Sequence, residues 1–109
     1  MKFIPKDHWG IHLWGFIHTI TIIDYDKIDD NILRNKHAIV VLKELKDCIP
    51  CPTCHDTYKE MLEKLDQIDL ERPLGLFYWS VDLHNIVNNK LNKPTWTYEK
   101  ALLKWSNAY

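Results

Sequence analysis

The sequence predicts an all-α fold, a four-helix bundle with a short fifth helix, on three observations. Apolar residues recur at spacings of three and four over long segments, with little of the period-two alternation that marks strands. Only three glycines occur among 109 residues. The prolines Pro50, Pro52, Pro73 and Pro94 fall at the boundaries of the periodic segments and not inside them, as helices require. This length is one domain, 1–109, with no room for a separate cofactor domain.

A first helix is expected from about Lys6 to Ile23, with Asp7 as a possible N-cap and Trp9, Leu13, Phe16, Ile17 and Ile20 facing inward. The β-branched run Thr19–Ile23 opposes this locally and can fray the helix end. After a polar connection, a second helix fits Asp30 to Lys46, with Ile32, Leu33, Ile39, Leu42 and Leu45 on its apolar side. Pro50 and Pro52 mark a break and a restart, since proline is accepted in a first turn. The third helix then carries Tyr58, Met61, Leu62 and Leu65. Pro73 opens a fourth that runs to about Leu91, with Leu76, Phe77, Val81, Leu83, His84, Val87 and Leu91 inward, and Asn92-Lys93-Pro94 ends it. Thr97 caps the fifth, which bears Tyr98, Ala101, Leu102 and Trp105.

Hydrophobic residues at 46% and charged residues at 27% are globular proportions. A net charge of -1 and a pI near 6.6 argue against a nucleic-acid binder and against a polybasic membrane anchor. The N-terminal residues do not read as a signal peptide, and no stretch approaches the ~18 uninterrupted apolar residues of a spanning helix. The expectation is a soluble chain kept in a reducing compartment, the cytoplasm. Five tryptophans and five tyrosines are many for a small bundle; they fill its core or line a slot for a flat aromatic ligand.

All three cysteines lie in the run Cys48-Ile49-Pro50-Cys51-Pro52-Thr53-Cys54, a local site and not a disulfide scaffold. Four readings compete for it. Two thiols three positions apart at a helix start can close a small redox-active disulfide, because the helix N-terminus stabilises the attacking thiolate. Cys51-x-x-Cys54-His55 also matches the attachment pattern of a c-type haem carrier, which demands export and a second axial ligand. Met61 is too near on the same helix to supply that ligand. Cys48, Cys51, Cys54 and His55 are nominal ligands for a small structural zinc module, but there is no second cysteine pair and no metal site is expected. Buried apolar thiols with no chemistry are the fourth reading. Among the histidines, His8 and His12 at i, i+4 could share a metal, although such a pair is more often a solvated face. His18 and His84 sit on apolar helix faces, where a satisfied core histidine is the default and a ligand-binding one the minority.

Three segments together resemble the flavin-dependent sulfhydryl oxidases of the Erv/ALR type. Gly10-x-x-x-Trp14-x-x-x-His18 resembles the family's opening flavin motif, its four-residue spacing placing all three on one helical face. Pro50-Cys51-x-x-Cys54 is similar to the family's active-site disulfide. The run His84-Asn85-Ile86-Val87-Asn88-Asn89-Lys90-Leu91-Asn92-Lys93-Pro94 is similar to its most diagnostic motif, H-N-x-V-N-x-x-L-x-K-P, and Lys104-Trp105 falls at its final flavin contact.

The resemblance spans Gly10 to Trp105. It implies a small helical bundle, usually a homodimer, that holds FAD non-covalently at the mouth of the bundle. Trp14, His18 and His84 would stack on or edge the flavin. Asn85 and Asn88 would make polar contacts, Lys90 and Lys93 phosphate or ribose contacts, and Trp105 an adenine-side contact, with Gly10, Val87 and Lys104 completing the motifs. Cys51 would be attacked by thiol-containing protein substrates or a thioredoxin-like carrier, and Cys54 would pass electrons to FAD and on to molecular oxygen, giving hydrogen peroxide. The chain departs from the family at Ile49, where many members have an aromatic residue. It also departs at Val81 and Tyr98, where many have a structural disulfide. It lacks a shuttle cysteine pair, and the pattern assigns Cys48 no role. Short, shuttle-free members are typical of large DNA viruses, which implies the cytoplasm of an infected cell, or the virion.

Overall fold

A computed structural model describes residues 6–22, 28–49, 52–68, 70–72 and 74–106. Five helices account for most of them: α1 Lys6–Ile22, α2 Ile28–Leu45, α3 Pro52–Leu62, α4 Gly75–Lys90 and α5 Tyr98–Ser106. Single 3₁₀ turns at Lys46–Cys48 and Leu65–Gln67 follow α2 and α3. There is no strand among the described residues, so the all-α expectation holds. No helix among them is long and apolar enough to cross a membrane.

One core draws on four helices. Ile17 of α1, Ala38 and Leu42 of α2, Tyr58 and Met61 of α3, and Leu76, Trp79 and Leu83 of α4 pack together, with Leu65 from the 3₁₀ turn. The phenol of Tyr58 donates to the Leu42 carbonyl, and the Trp79 indole N–H to the Met61 carbonyl at 3.0 Å, so both aromatic residues bury without an orphaned polar atom. A smaller cluster of Phe77, Val81 and Ala101 attaches α5 to the other face of α4. Helix α4 is therefore buried on two sides. Leu76, Trp79 and Leu83 form one stripe and Phe77 and Val81 another, as spacings of three, four and seven dictate.

Several expectations change in detail. Phe16 is 45% exposed and Leu33 58% exposed, not inward. The buried stripe of α1 runs through Ile17, His18 and Thr21, and that of α2 through Asn35, Ala38 and Leu42. Phe16 stands about 200° from His18 and Leu33 about 200° from Asn35 around their helices. Polar residues near the centre of each stripe shifted the apolar face from where hydrophobicity alone would put it. Helix α2 starts two residues earlier than expected, at Ile28, and α4 starts at Gly75, after Leu74 in the left-handed conformation at φ 58°. Leu65 lies beyond α3, in the 3₁₀ turn, yet is buried. Leu91 follows the last turn of α4 and is half-buried, and Tyr98 is 45% exposed. Thr97 does cap α5, its Oγ1 accepting the Lys100 amide at 3.2 Å. The proposed cap Asp7 has no described side chain, and Ile23 lies outside the described residues.

Candidate functional site

Helices α1, α3, α4 and α5 leave between them a cavity of about 670 Å³, within the ~300–1,000 Å³ range of small-molecule sites. Its walls are mostly apolar and aromatic: Trp9, Leu13, Trp14 and Ile17 from α1, Tyr58 from α3, Leu83 and Val87 from α4, Trp105 from α5, and Ile49 and Trp96 from connecting segments. Among the described residues, three lysines, Lys93, Lys100 and Lys104, line one side, and no carboxylate does. The cavity is built for a flat apolar body carrying negative charge. Gly10 also lines it, beside open space in which an added Cβ would meet no atom within 4 Å.

Spacing on α1 and α4 sets the aromatic wall. Trp14 and His18 are one turn apart, and the His84 ring lies flat on Trp14 with centroids 3.9 Å apart and planes at 8°. His18 sits behind them, 2% exposed, bonded through Nε2 to His84 Nδ1 at 3.0 Å and through Nδ1 to Ser80 Oγ at 2.9 Å. Trp105 tilts against His18 at 4.9 Å. Lys104 holds its ammonium over the rings of Trp96 and Trp105, at 4.8 and 5.1 Å, a cation–π arrangement that keeps a charge beside an aromatic wall. Burial, then the charges of His84 and Lys104, push the His18 pKa down to about 3. Burial, then Lys104 and Lys93, push His84 down to about 4. Both rings are neutral at physiological pH.

The cavity thus gathers Gly10, Trp14, Cys54, His84, Val87, Asn88, Lys93, Lys104 and Trp105. Cys54 stands in the first turn of α3. Cys51 lies outside the described residues. The remaining candidates are placed otherwise. Asn85 faces away from the large cavity and grips the Trp96 backbone, its Nδ2 donating to the carbonyl and its Oδ1 accepting the amide, both at 2.8 Å. Lys90 donates to Thr57 Oγ1 at 2.6 Å and ties α4 to α3. Cys48 is exposed in its 3₁₀ turn. Among the described residues no cluster of three metal-ligating side chains occurs; His12 is exposed.

Sequence reasoning passed over Trp96 and Lys100. The spacing Trp96-x-x-x-Lys100-x-x-x-Lys104 was the available signal, a repeat of four that puts both lysines on one face of α5. It also passed over Ser80 and Thr21, for which a sequence offers no signal: their importance comes from being buried against His18.

Sequence comparison matches residues 11–107 to the Erv1 / Alr family. The chain belongs to that family. Its relatives include a protein named probable FAD-linked sulfhydryl oxidase from Acanthamoeba polyphaga mimivirus, 28% identical over 107 residues, covering 91% of this chain and 69% of that protein. A FAD-linked sulfhydryl oxidase of African swine fever virus is 29% identical over 104 residues, 89% of this chain and 85% of that one. One from Oryza sativa subsp. japonica is 24% identical over 102 residues, 94% of this chain and 51% of the other. No solved structure matches the chain significantly.

Proposed function

We propose that this Erv1/Alr chain is a FAD-linked sulfhydryl oxidase that makes disulfides in protein substrates. The observation that carries this reading is one cavity lined by Cys54, the Trp14–His84 stack and three lysines. The residues fit FAD. The apolar aromatic walls suit a flat ring system, Lys93, Lys100 and Lys104 suit a diphosphate, and the open space at Gly10 leaves room for the ligand to approach the backbone.

In this reading Cys51 and Cys54 form the reactive disulfide. A substrate thiolate attacks Cys51 Sγ, a mixed disulfide forms, and Cys54 leaves as a thiolate. A second substrate thiolate then attacks the substrate sulfur of the mixed disulfide, releasing the oxidised substrate and the Cys51 thiolate. The start of α3 stabilises the Cys54 thiolate where it lines the cavity. Re-closing the Cys51–Cys54 disulfide releases two electrons and two protons, which bound FAD would accept and pass to molecular oxygen, giving hydrogen peroxide. The lysines would hold the anionic part of the cofactor in place.

The reading extends to a homodimer, for which the exposed Leu33 and Val40 supply one apolar stripe on α2. Substrates would be met directly or through a thioredoxin-like carrier. Its viral relatives support a reading in which it works in the cytoplasm of an infected cell or in the virion.

Purified protein should be yellow with oxidised-flavin absorbance; a haem spectrum, or a colourless protein that chelator unfolds, would reject the reading. Cys51→Ser and Cys54→Ser should each lower thiol-dependent oxygen uptake at least ~100-fold while flavin remains bound. Full turnover in either variant would sink the assignment of that cysteine.

A further inference from the structure

A buried hydroxyl behind the aromatic wall has no place in the reaction above. Ser80, on α4, is 0% exposed. Its Oγ lies 2.6 Å from the Phe77 carbonyl, 2.9 Å from His18 Nδ1 and 3.2 Å from Thr21 Oγ1. It has one proton to give. A carbonyl carries none, and two oxygens 2.6 Å apart would repel without a proton between them, so the Ser80 hydroxyl donates to Phe77.

The rest follows by counting protons. With its own proton committed, Ser80 can only accept from His18, which must therefore carry its hydrogen on Nδ1. Both imidazoles are neutral, so His18 Nε2 has a lone pair. That lone pair faces His84 Nδ1 at 3.0 Å, and two lone pairs cannot share this contact. His84 consequently carries its hydrogen on Nδ1 and leaves Nε2 bare. Because Nδ1 is occupied by His18, Nε2 is the ring nitrogen left for whatever enters the cavity that His84 lines.

We propose that Ser80 is a positioning residue that acts through His18 to fix the His84 tautomer, so that the cavity presents a hydrogen-bond acceptor to its ligand. The chemistry selected is an N–H or O–H donor, such as the exocyclic amine or a ribose hydroxyl of a nucleotide. Only this last step rests on the flavin reading; the proton order in the relay does not. Thr21 supports the arrangement, with its Oγ1 2.9 Å from the Ile17 carbonyl and 3.1 Å from that of His18. That backward bonding holds the hydroxyl beside Ser80.

Long-range proton–nitrogen correlation spectra of the purified protein report which nitrogen of each imidazole is protonated. In the wild type both His18 and His84 should carry the proton on Nδ1. Ser80→Ala would orphan the His18 Nδ1 donor in the core, an unfavourable state, and should move both protons to Nε2. Ser80→Thr keeps a hydroxyl and should keep the wild-type pattern. A wild-type His84 protonated on Nε2 overturns the proposal even if the alanine variant does not fold, and so does an alanine variant with unchanged tautomers. FAD affinity is the second readout. With the tautomers flipped, Ser80→Ala should bind FAD about 3- to 10-fold more weakly, one lost hydrogen bond, and unchanged affinity would reject the acceptor role. A protein that binds no flavin would reject the proposed function while the spectra still decided the relay.

Discussion

His18 and His84 exist as neutral rings because α1 and α4 close over them and Lys104, joined at His84 by Lys93, adds positive charge nearby. Their pKa values, held near 3 and 4 against an ordinary 6.5, make a stability statement. Below about pH 6.5 the unfolded chain takes up protons that the folded chain refuses. Stability contributed by the neutral rings is thus intact above that pH and is lost as pH falls toward their folded values. The thermal midpoint should fall already between pH 6.5 and 5, above the range where carboxylates titrate, and His84→Asn should flatten that slope. A midpoint independent of pH in this window would show that the rings are not shielded as described. The histidines were visible in the sequence, but their neutrality was not: it depends on which neighbours the fold brings against them.

The junction of α4 with α5 is the element on which the lysine side of the cavity depends. Val81 and Tyr98 stand where the resemblance implies that many members of the family have a structural disulfide, so no such staple is expected here, and the junction is made by other contacts. Val81 packs on Ala101, the Tyr98 hydroxyl donates to Asp82 at 2.6 Å, and Asn85 clasps Trp96 with two hydrogen bonds. The Asp82 bond also raises the Tyr98 pKa, an effect confined to alkaline pH. Asn85→Ala should cost about 1–2 kcal/mol, the net value of two partly exposed hydrogen bonds. It should also loosen the segment carrying Trp96, so that FAD is released faster than from the wild type; equal release would separate the clasp from the site. In the core, Leu42→Ala removes a fully buried side chain and should cost about 2–5 kcal/mol by denaturant unfolding, without altering the flavin spectrum of the folded fraction.

At the scale of the molecule, a large cavity inside 109 residues leaves a thin core. A bundle of this size has little apolar surface to spare, and four of its five helices share their inner faces with the site. Ligand binding then becomes a large part of stability. FAD at a hundredfold excess over its Kd should add about 2.7 kcal/mol, a rise in Tm on the order of 10–20 °C. An unchanged midpoint would count against the cavity as the flavin site. The proposed dimer has its own test, since Val40→Glu should convert it to a monomer in sedimentation.

The sequence by itself determined the helical class, the positions of the five helices to within a few residues, and the motifs that carry the family. These are local properties: spacing, capping and proline placement act within one or two turns. It misplaced Phe16 and Leu33 because hydrophobicity cannot show that buried polar residues, His18, Thr21 and Asn35, set the angle of a helix face. The three-dimensional arrangement alone shows that Asn85 and Lys90 tie elements together and that Ser80 reaches a histidine 62 positions away. Hydrogen-bond partners and electrostatic neighbours are fixed by distances across helices, and no periodicity within a single helix records them.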